Sequence, residues 1–274
     1  MRLLDRSPTM RLLAHIAATA ARTAAATLGI VAALALTACN PLSARQQDSA
    51  PFARLTGPEV VNKALAATRA ATSVRIAVTT KRPDGTPVEA YVATDIRGAC
   101  TVTLSLGAAG TMDLVRTGGT VSTRSDEAML RAAFADRSRT ATEAEVRRLT
   151  GRWVTADRAD GPTAQALGYC DRKGLLDRLA ENSDTARRGR ATTIASAPAL
   201  SLNGRAGRGT WQAAVATEGK PHLLRLHFGT DTGTDTAPGT STETSAATGT
   251  GTGTPLTAEF TEFDKPFTVK RPAP

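Results

Sequence analysis

Residues 74–92 read VRIAVTTKRPDGTPVEAYV, and this stretch decides the fold. Apolar side chains alternate with other side chains on both sides of Asp84-Gly85, a pair that favours a tight hairpin turn. Period-two alternation is typical of a strand with one buried face. The stretch therefore predicts a β-hairpin whose inward residues are Val74, Ile76, Val78, Val88, Ala90 and Val92.

The same alternation continues beyond the hairpin. Its apolar positions are Val102, Leu104, Leu106, Met112, Leu114 and Val121, separated by glycine-containing turns at 107–110 and 118–119. Residues 74–123 are thus predicted to form an antiparallel meander of about five strands.

Helical patterns flank this meander. A first helix is predicted over 58–71, because Val61, Ala64 and Leu65 have helical spacing behind Pro58. Ser125-Asp126-Glu127 is typical of a helix start, and Thr142-x-x-Glu145 has the pattern of a capping box. A further short helix is predicted around 172–181.

A second strand block follows the helices. Its alternating apolar residues are Trp211, Ala213, Val215, Leu224, Leu226, Phe228, Leu256, Ala258 and Phe260. Residues 229–254 are almost entirely Gly, Thr, Ser, Ala and Asp, a composition that cannot bury a core. We therefore predict a disordered surface loop inserted into a hairpin.

The amino-terminal region has the order of parts of an export signal. Arg2, Arg6, Arg11 and Arg22 precede Ala24–Leu36, an uncharged run that is too short to cross about 30 Å of hydrocarbon. The run ends in Leu36-Thr37-Ala38-Cys39, which resembles the bacterial lipobox. The resemblance implies that Cys39 receives a diacylglyceryl group and becomes the first residue. The alternative is a chance Cys behind an ordinary secretory signal or a short anchor helix.

The predicted organisation is a signal peptide over 1–38, a flexible tether over 39–54 and one domain over 55–274. Two or more acyl chains on Cys39 would hold the domain on the outer face of the cell membrane. Beyond Cys39 the chain has Cys100 and Cys170, an even number for an oxidising compartment. We predict that these two form a disulfide, with two buried free thiols as the alternative.

Charge and chemistry narrow the possible functions. The formal net charge is +9, carried mostly by Arg scattered singly or in pairs without interleaved aromatics, so we interpret it as a solvated surface. Nucleic acid is not an expected partner; anionic lipid head groups or wall polymers are the first polyanions that an exported protein would meet. His222 and His227 cannot easily share a site, because they are five residues apart on a predicted strand. No catalytic motif, metal site or cofactor is predicted, and we expect a non-enzymatic monomer.

The order of strand meander, helical middle and second strand block behind a lipobox resembles actinobacterial lipoproteins of the LolA-like, LppX/LprG-type family. The segments that carry the resemblance are 111–116 (TMDLVR), 119–121 (GTV), 125–127 (SDE), 151–154 (GRWV), 218–221 (EGKP) and 223–226 (LLRL). The resemblance implies an α+β fold in which a curled antiparallel sheet, a half-barrel, packs on helices and encloses an apolar cavity for acyl chains.

The residues expected to line that cavity are Val88, Val92, Leu104, Leu114, Met129 and Phe134. The alternative for each of them is ordinary core packing, which is the more common role of such residues. The leading functional hypothesis is a lipid-binding or lipid-transfer lipoprotein. The alternative is a surface interaction or sensing module whose interior is filled with side chains.

Overall fold

The structure is a computed structural model that describes residues 51–156, 161–229 and 254–269. The predicted signal peptide, the lipidation site Cys39, most of the tether and nearly all of the predicted loop at 229–254 lie outside the described residues.

The described chain is built of eleven strands and five α-helices. The strands are β1 (Ser73–Lys81), β2 (Pro87–Asp95), β3 (Cys100–Ser105), β4 (Thr111–Thr117), β5 (Thr120–Ser125), β6 (Val154–Thr155), β7 (Arg187–Ile194), β8 (Ala197–Ala206), β9 (Gly209–Ala216), β10 (Leu223–Gly229) and β11 (Leu256–Thr261). The helices are α1 (Gly57–Ala70), α2 (Glu127–Ala133), α3 (Arg139–Leu149), α4 (Gly161–Tyr169) and α5 (Arg172–Ala180).

All strands belong to one open antiparallel sheet in the order β6-β5-β4-β3-β2-β1-β11-β10-β9-β8-β7. This confirms the predicted α+β class, a curled antiparallel sheet packed on helices. The last strand lies in the middle: Ala258 of β11 pairs with Val78 of β1 on one side and with Leu226 of β10 on the other. The carboxyl-terminal strand thereby joins two meanders into one sheet.

The opening hairpin has the predicted register. Ile76 pairs with Val92 and Val78 with Ala90, so the apolar residues of β1 and β2 share one face. Gly85 has a φ of 84°, the left-handed conformation that glycine adopts without a steric cost. The five-strand meander is confirmed as β1–β5.

Helix α1 begins with a capping box. The Thr56 hydroxyl accepts a hydrogen bond from Glu59 N, and the Glu59 carboxylate accepts one from Thr56 N at 2.7 Å. These bonds satisfy backbone donors that the first helical turn leaves without partners. They also hold the pKa of Glu59 below its usual value, chiefly through the bond from the Thr56 backbone.

Of the two predicted helix starts, one is confirmed and one is wrong. Helix α2 begins within the Ser125-Asp126-Glu127 segment, with Asp126 as its cap. Helix α3 is capped by Ser138, so Thr142 lies inside the helix, where its hydroxyl donates to the Phe134 carbonyl at 3.1 Å. The Thr142-x-x-Glu145 pattern is therefore not a capping box.

Strand β10 also departs from the predicted alternation. A bulge between Leu223 and Arg225 places Leu223, rather than Leu224, in the main core. Leu224 instead packs on the opposite face of the sheet, against a small cluster of Ile194, Ala199 and Ala214. An extra residue in one strand reverses the facing of the residues on one side of it.

Candidate functional site

The candidate site is the apolar face of the sheet together with the helices that cover it. Val102 and Leu104 of β3, Trp211 of β9 and Phe228 of β10 are among its fully buried side chains. The covering helices contribute their own apolar residues to the same cluster: Val60, Val61, Ala64 and Leu65 from α1, Ala166 from α4, and Leu176 and Leu179 from α5. Sheet and helices thus share one continuous core.

Five of the six residues predicted to line a cavity lie in this core. Their side chains are at most 3% exposed: Val88, Val92, Leu104, Leu114 and Met129. Phe134 does not join them. It is the half-buried residue that ends α2, and the Arg137 guanidinium lies 4.4 Å from its ring. Phe134 lies outside the main core because it stands at the end of the helix.

The interior is closed around these residues. In the described part of the chain, the space between sheet and helices holds no open cavity. A surface depression of about 290 Å³ lies elsewhere, across β7–β10, and includes Ser201, Gln212, Arg225 and His227 among its lining residues. The predicted acyl-chain cavity therefore stays a prediction.

The cover over the sheet differs between its two halves. Helix α1 packs on β9 and β10 and buries Val60, Val61, Ala64 and Leu65 at 2% exposure or less. Helix α4 packs on β2, β3 and β4 and buries only Ala166 completely. Helix α3 buries only Val146, and α2, which packs on β4, buries Met129 and Leu130. The half over β2–β4 is thus covered by short helices, and we call it the lighter half because α4 itself buries a single alanine.

A disulfide holds this lighter half. Cys100 at the start of β3 is bonded to Cys170, which directly follows α4, with a Cα–Cα distance of 6.0 Å. The predicted pairing is therefore present. It ties the carboxyl end of α4 to the sheet, whereas the amino end of α4 has no such covalent attachment to β3.

Charged side chains close the end of the core near the carboxyl terminus of α1. The Arg172 guanidinium donates to the Ala71 carbonyl at 3.0 Å, and burial lowers the pKa of Arg172. Asp264 accepts from Lys220 at 2.7 Å and from the Thr72 backbone at 2.8 Å, and these bonds lower its pKa to about 2. Arg178 of α5 lies 3.9 Å over the Phe228 ring, and burial lowers its pKa as well.

The two histidines have separate surroundings. His222 is buried, stacks on Phe263 with ring centroids 4.0 Å apart, and has a pKa lowered by that burial. His227 has its Nδ1 2.9 Å from the Thr257 hydroxyl. Within residues 51–156, 161–229 and 254–269, no group of three or more His, Cys, Asp or Glu could hold a metal ion.

Sequence reasoning missed part of the cover. Helix α4 was not predicted, although Gly161-Pro162 opens it much as Gly57-Pro58 opens α1. Proline in the first helical turn was the available signal. No signal marked Ala166 as the buried contact of that helix. Among the helices that the structure describes, none combines the length and the apolar character that a membrane crossing requires.

The comparisons with known proteins give structural likenesses. No family model matches the chain, and no curated protein matches it. LprF from Mycobacterium bovis is 13% identical with a TM-score of 0.49, over 82% of this chain and all of that chain. Lipoprotein LppX from Mycobacterium tuberculosis is 14% identical with a TM-score of 0.46, over 78% and 97% of the two chains. A LolA superfamily protein from Nitrosomonas europaea is 12% identical with a TM-score of 0.25, over 80% and 96%. These are likenesses of fold alone.

Proposed function

We propose that this chain is a lipoprotein anchored to the outer face of the cell membrane, where it binds or transfers the acyl chains of lipids or glycolipids. One observation carries the binding part: the apolar sheet face over β2–β4 is covered by α4, which buries a single alanine of its own and is tied to the sheet by one covalent attachment. The anchoring part rests on the Leu36-Thr37-Ala38-Cys39 motif.

Acyl chains enter this site by replacing the helical cover. If α2–α4 move away from the sheet, the apolar side chains of β2, β3 and β4 lose their partners and meet water. An acyl chain that takes that place gains about 0.8 kcal/mol for each CH₂ that it buries. The conformation with a closed interior is the empty form.

The anchor is tested at Cys39. Replacing Cys39 by Ala removes the thiol that would carry the diacylglyceryl group, so we expect uncleaved or released protein. The measurement is membrane fractionation of the Cys39→Ala chain and the parent. Equal membrane association and equal processing of the two chains would contradict the anchor.

Acyl-chain binding is tested by lipid uptake from vesicles that contain a fluorescent fatty-acyl phospholipid. Leu104→Ala opens space beneath the lighter cover, and we expect it to increase uptake above the parent's. Leu202→Ala on β8 is the matched control, because both leucines are at most 1% exposed and each truncation costs about 2–5 kcal/mol. Equal uptake by the two variants would contradict a site over β2–β4, and no uptake by any chain would contradict the function.

A second candidate function is favoured by the closed interior. Five predicted lining residues are packed as core, as expected for a surface interaction or sensing module with a filled core. The uptake experiment separates the two candidates. An interaction or sensing module takes up no lipid, and Leu104→Ala leaves an empty cavity in its core without increasing lipid uptake.

A further inference from the structure

The edge of the sheet formed by β7–β9 has an unusual charge distribution. Residues 185–217 contain five arginines and no Asp or Glu, although Asp and Glu number 25 in the whole chain. The arginines are Arg187, Arg188, Arg190, Arg205 and Arg208, and all five are exposed. Every residue of β7 from Arg187 to Thr193 is exposed.

The chain enters the domain at this same edge. The Arg188 guanidinium donates to the carbonyls of Ala53 and Leu55, each at 3.1 Å. Gly57 approaches the Ala186 carbonyl so closely that an added Cβ would lie 2.2 Å from its oxygen. Residues 53–57 are therefore held beside the start of β7, together with the exposed Arg54.

The end of β8 is held at the same place. The Thr185 hydroxyl accepts from Arg205 N at 2.9 Å and lies 3.0 Å from the Arg205 carbonyl oxygen. Arg187 is paired with Asn203, two residues before Arg205 along β8, so Arg187 and Arg205 share one face of the sheet. We call Arg54, Arg187, Arg190, Arg205 and Arg208 the basic surface.

Four arginines of the basic surface have no acidic partner within the part of the chain that the structure describes. Within the described residues, no ion pair involves Arg54, Arg187, Arg190 or Arg208, whereas Arg131 on α2 is paired with both Glu127 and Glu143. Charged side chains on an edge strand also prevent unwanted strand pairing. That role accounts for arginines on β7 but not for Arg54 or for the absence of acidic residues from all three strands.

We propose that the basic surface binds anionic phospholipid head groups of the membrane that holds Cys39. Arginine presents several donors in a fixed plane that matches phosphate oxygens. Eleven residues, 40–50, separate Cys39 from the first described residue, and a fully extended chain of that length spans at most about 40 Å. The closeness of this edge to the membrane depends on the proposed anchor at Cys39. The recognition of phosphate head groups by the basic surface does not depend on the anchor. The β7 edge thereby faces the bilayer.

The test uses the processed chain, residues 39–274, with Cys39→Ser so that no acyl group contributes. Flotation is measured with vesicles of phosphatidylcholine and with vesicles in which about one third is phosphatidylglycerol. We expect the chain to float with the anionic vesicles and not with the neutral ones. The triple variant Arg187→Gln, Arg190→Gln and Arg208→Gln should lower the partition coefficient about a hundredfold.

The matched control is the triple variant Arg82→Gln, Arg147→Gln and Arg152→Gln, which removes the same charge from exposed positions elsewhere. It should keep most of the binding. Equal losses in the two triples, or no preference of the Cys39→Ser chain for anionic vesicles, would overturn the proposal. Failure of the anchor is detected separately, by fractionation of the Cys39→Ala chain, because no acyl group is present in the flotation experiment.

Discussion

At the scale of single residues, the approach of α1 to the β7 edge depends on a glycine. Gly57 is buried in the first turn of α1, and its Cα faces the Ala186 carbonyl without room for a side chain. Two backbones come this close only where one residue has no Cβ. The same residue thus fixes how α1 lies across the sheet and where the chain enters the domain.

Gly57→Ala should lower the free energy of unfolding by about 1–3 kcal/mol, because either the helix or the carbonyl must move to accept the methyl group. Gly168→Ala on α4 is the control, since an added Cβ there meets nothing within 4 Å. Alanine has less backbone freedom than glycine in the unfolded chain, so that variant should be more stable by about 0.5–1 kcal/mol. Urea denaturation measures both, and equal stabilities of the two variants would contradict the close contact.

Asp264 makes stability depend on pH in the acid range. Its pKa is about 2 in the folded chain, lowered by the bond from Lys220 first and by the Thr72 backbone bond next, against 3.8 as the ordinary value. The stabilisation is therefore complete above about pH 4 and is lost as the pH falls towards 2. Asp264→Asn should weaken the acid dependence of the melting temperature in that window. The exposed Asp136→Asn is the control, and an unchanged pH profile in Asp264→Asn would refute this role.

At the scale of secondary-structure elements, the disulfide is the covalent attachment of α4 to the sheet. Removing it by Cys100→Ser with Cys170→Ser opens a loop of sequence separation 70. In the chain-entropy account this lowers the free energy of unfolding by about 4 kcal/mol. We also expect faster lipid uptake, because the carboxyl end of α4 is then free to leave β3. Cys39→Ser, which keeps the pair, is the control; slower uptake in the double variant would contradict a moving cover.

The elements show what could be predicted from the sequence. The hairpin of β1 and β2 was predictable because its faces alternate strictly and Gly85 marks the turn. Strand β7 was not, because all but its last residue are exposed and no alternation results. The bulge in β10 and the choice of Ser138 over Thr142 depend on tertiary pairing and on competing caps, which local spacing does not determine.

The sequence predicts which residues belong to the candidate site, but it does not predict whether the site is open or filled. Val88, Val92, Leu104 and Leu114 were assigned to the apolar face because strand alternation decides which face a side chain occupies. Whether that face is open or filled depends on how closely α4 approaches the sheet. The small Ala166 permits that approach, and its burial could not be inferred from composition or spacing.

At the scale of the whole molecule, the two proposed activities lie in different parts of one sheet. The lighter cover lies over β2–β4, whereas the basic surface lies at the β7 edge beside the point of chain entry. With the β7 edge towards the bilayer, β2–β4 lie six to eight strands further along the sheet. The flotation and uptake experiments therefore test two separate surfaces of the chain.

The central claim is that the apolar face over β2–β4 holds acyl chains, and native mass spectrometry of the mildly purified chain tests it most directly. The account predicts a population heavier than the processed protein by the mass of a noncovalently bound lipid, which organic extraction removes. A single population at the protein mass, both after purification and after incubation with lipid vesicles, would contradict it.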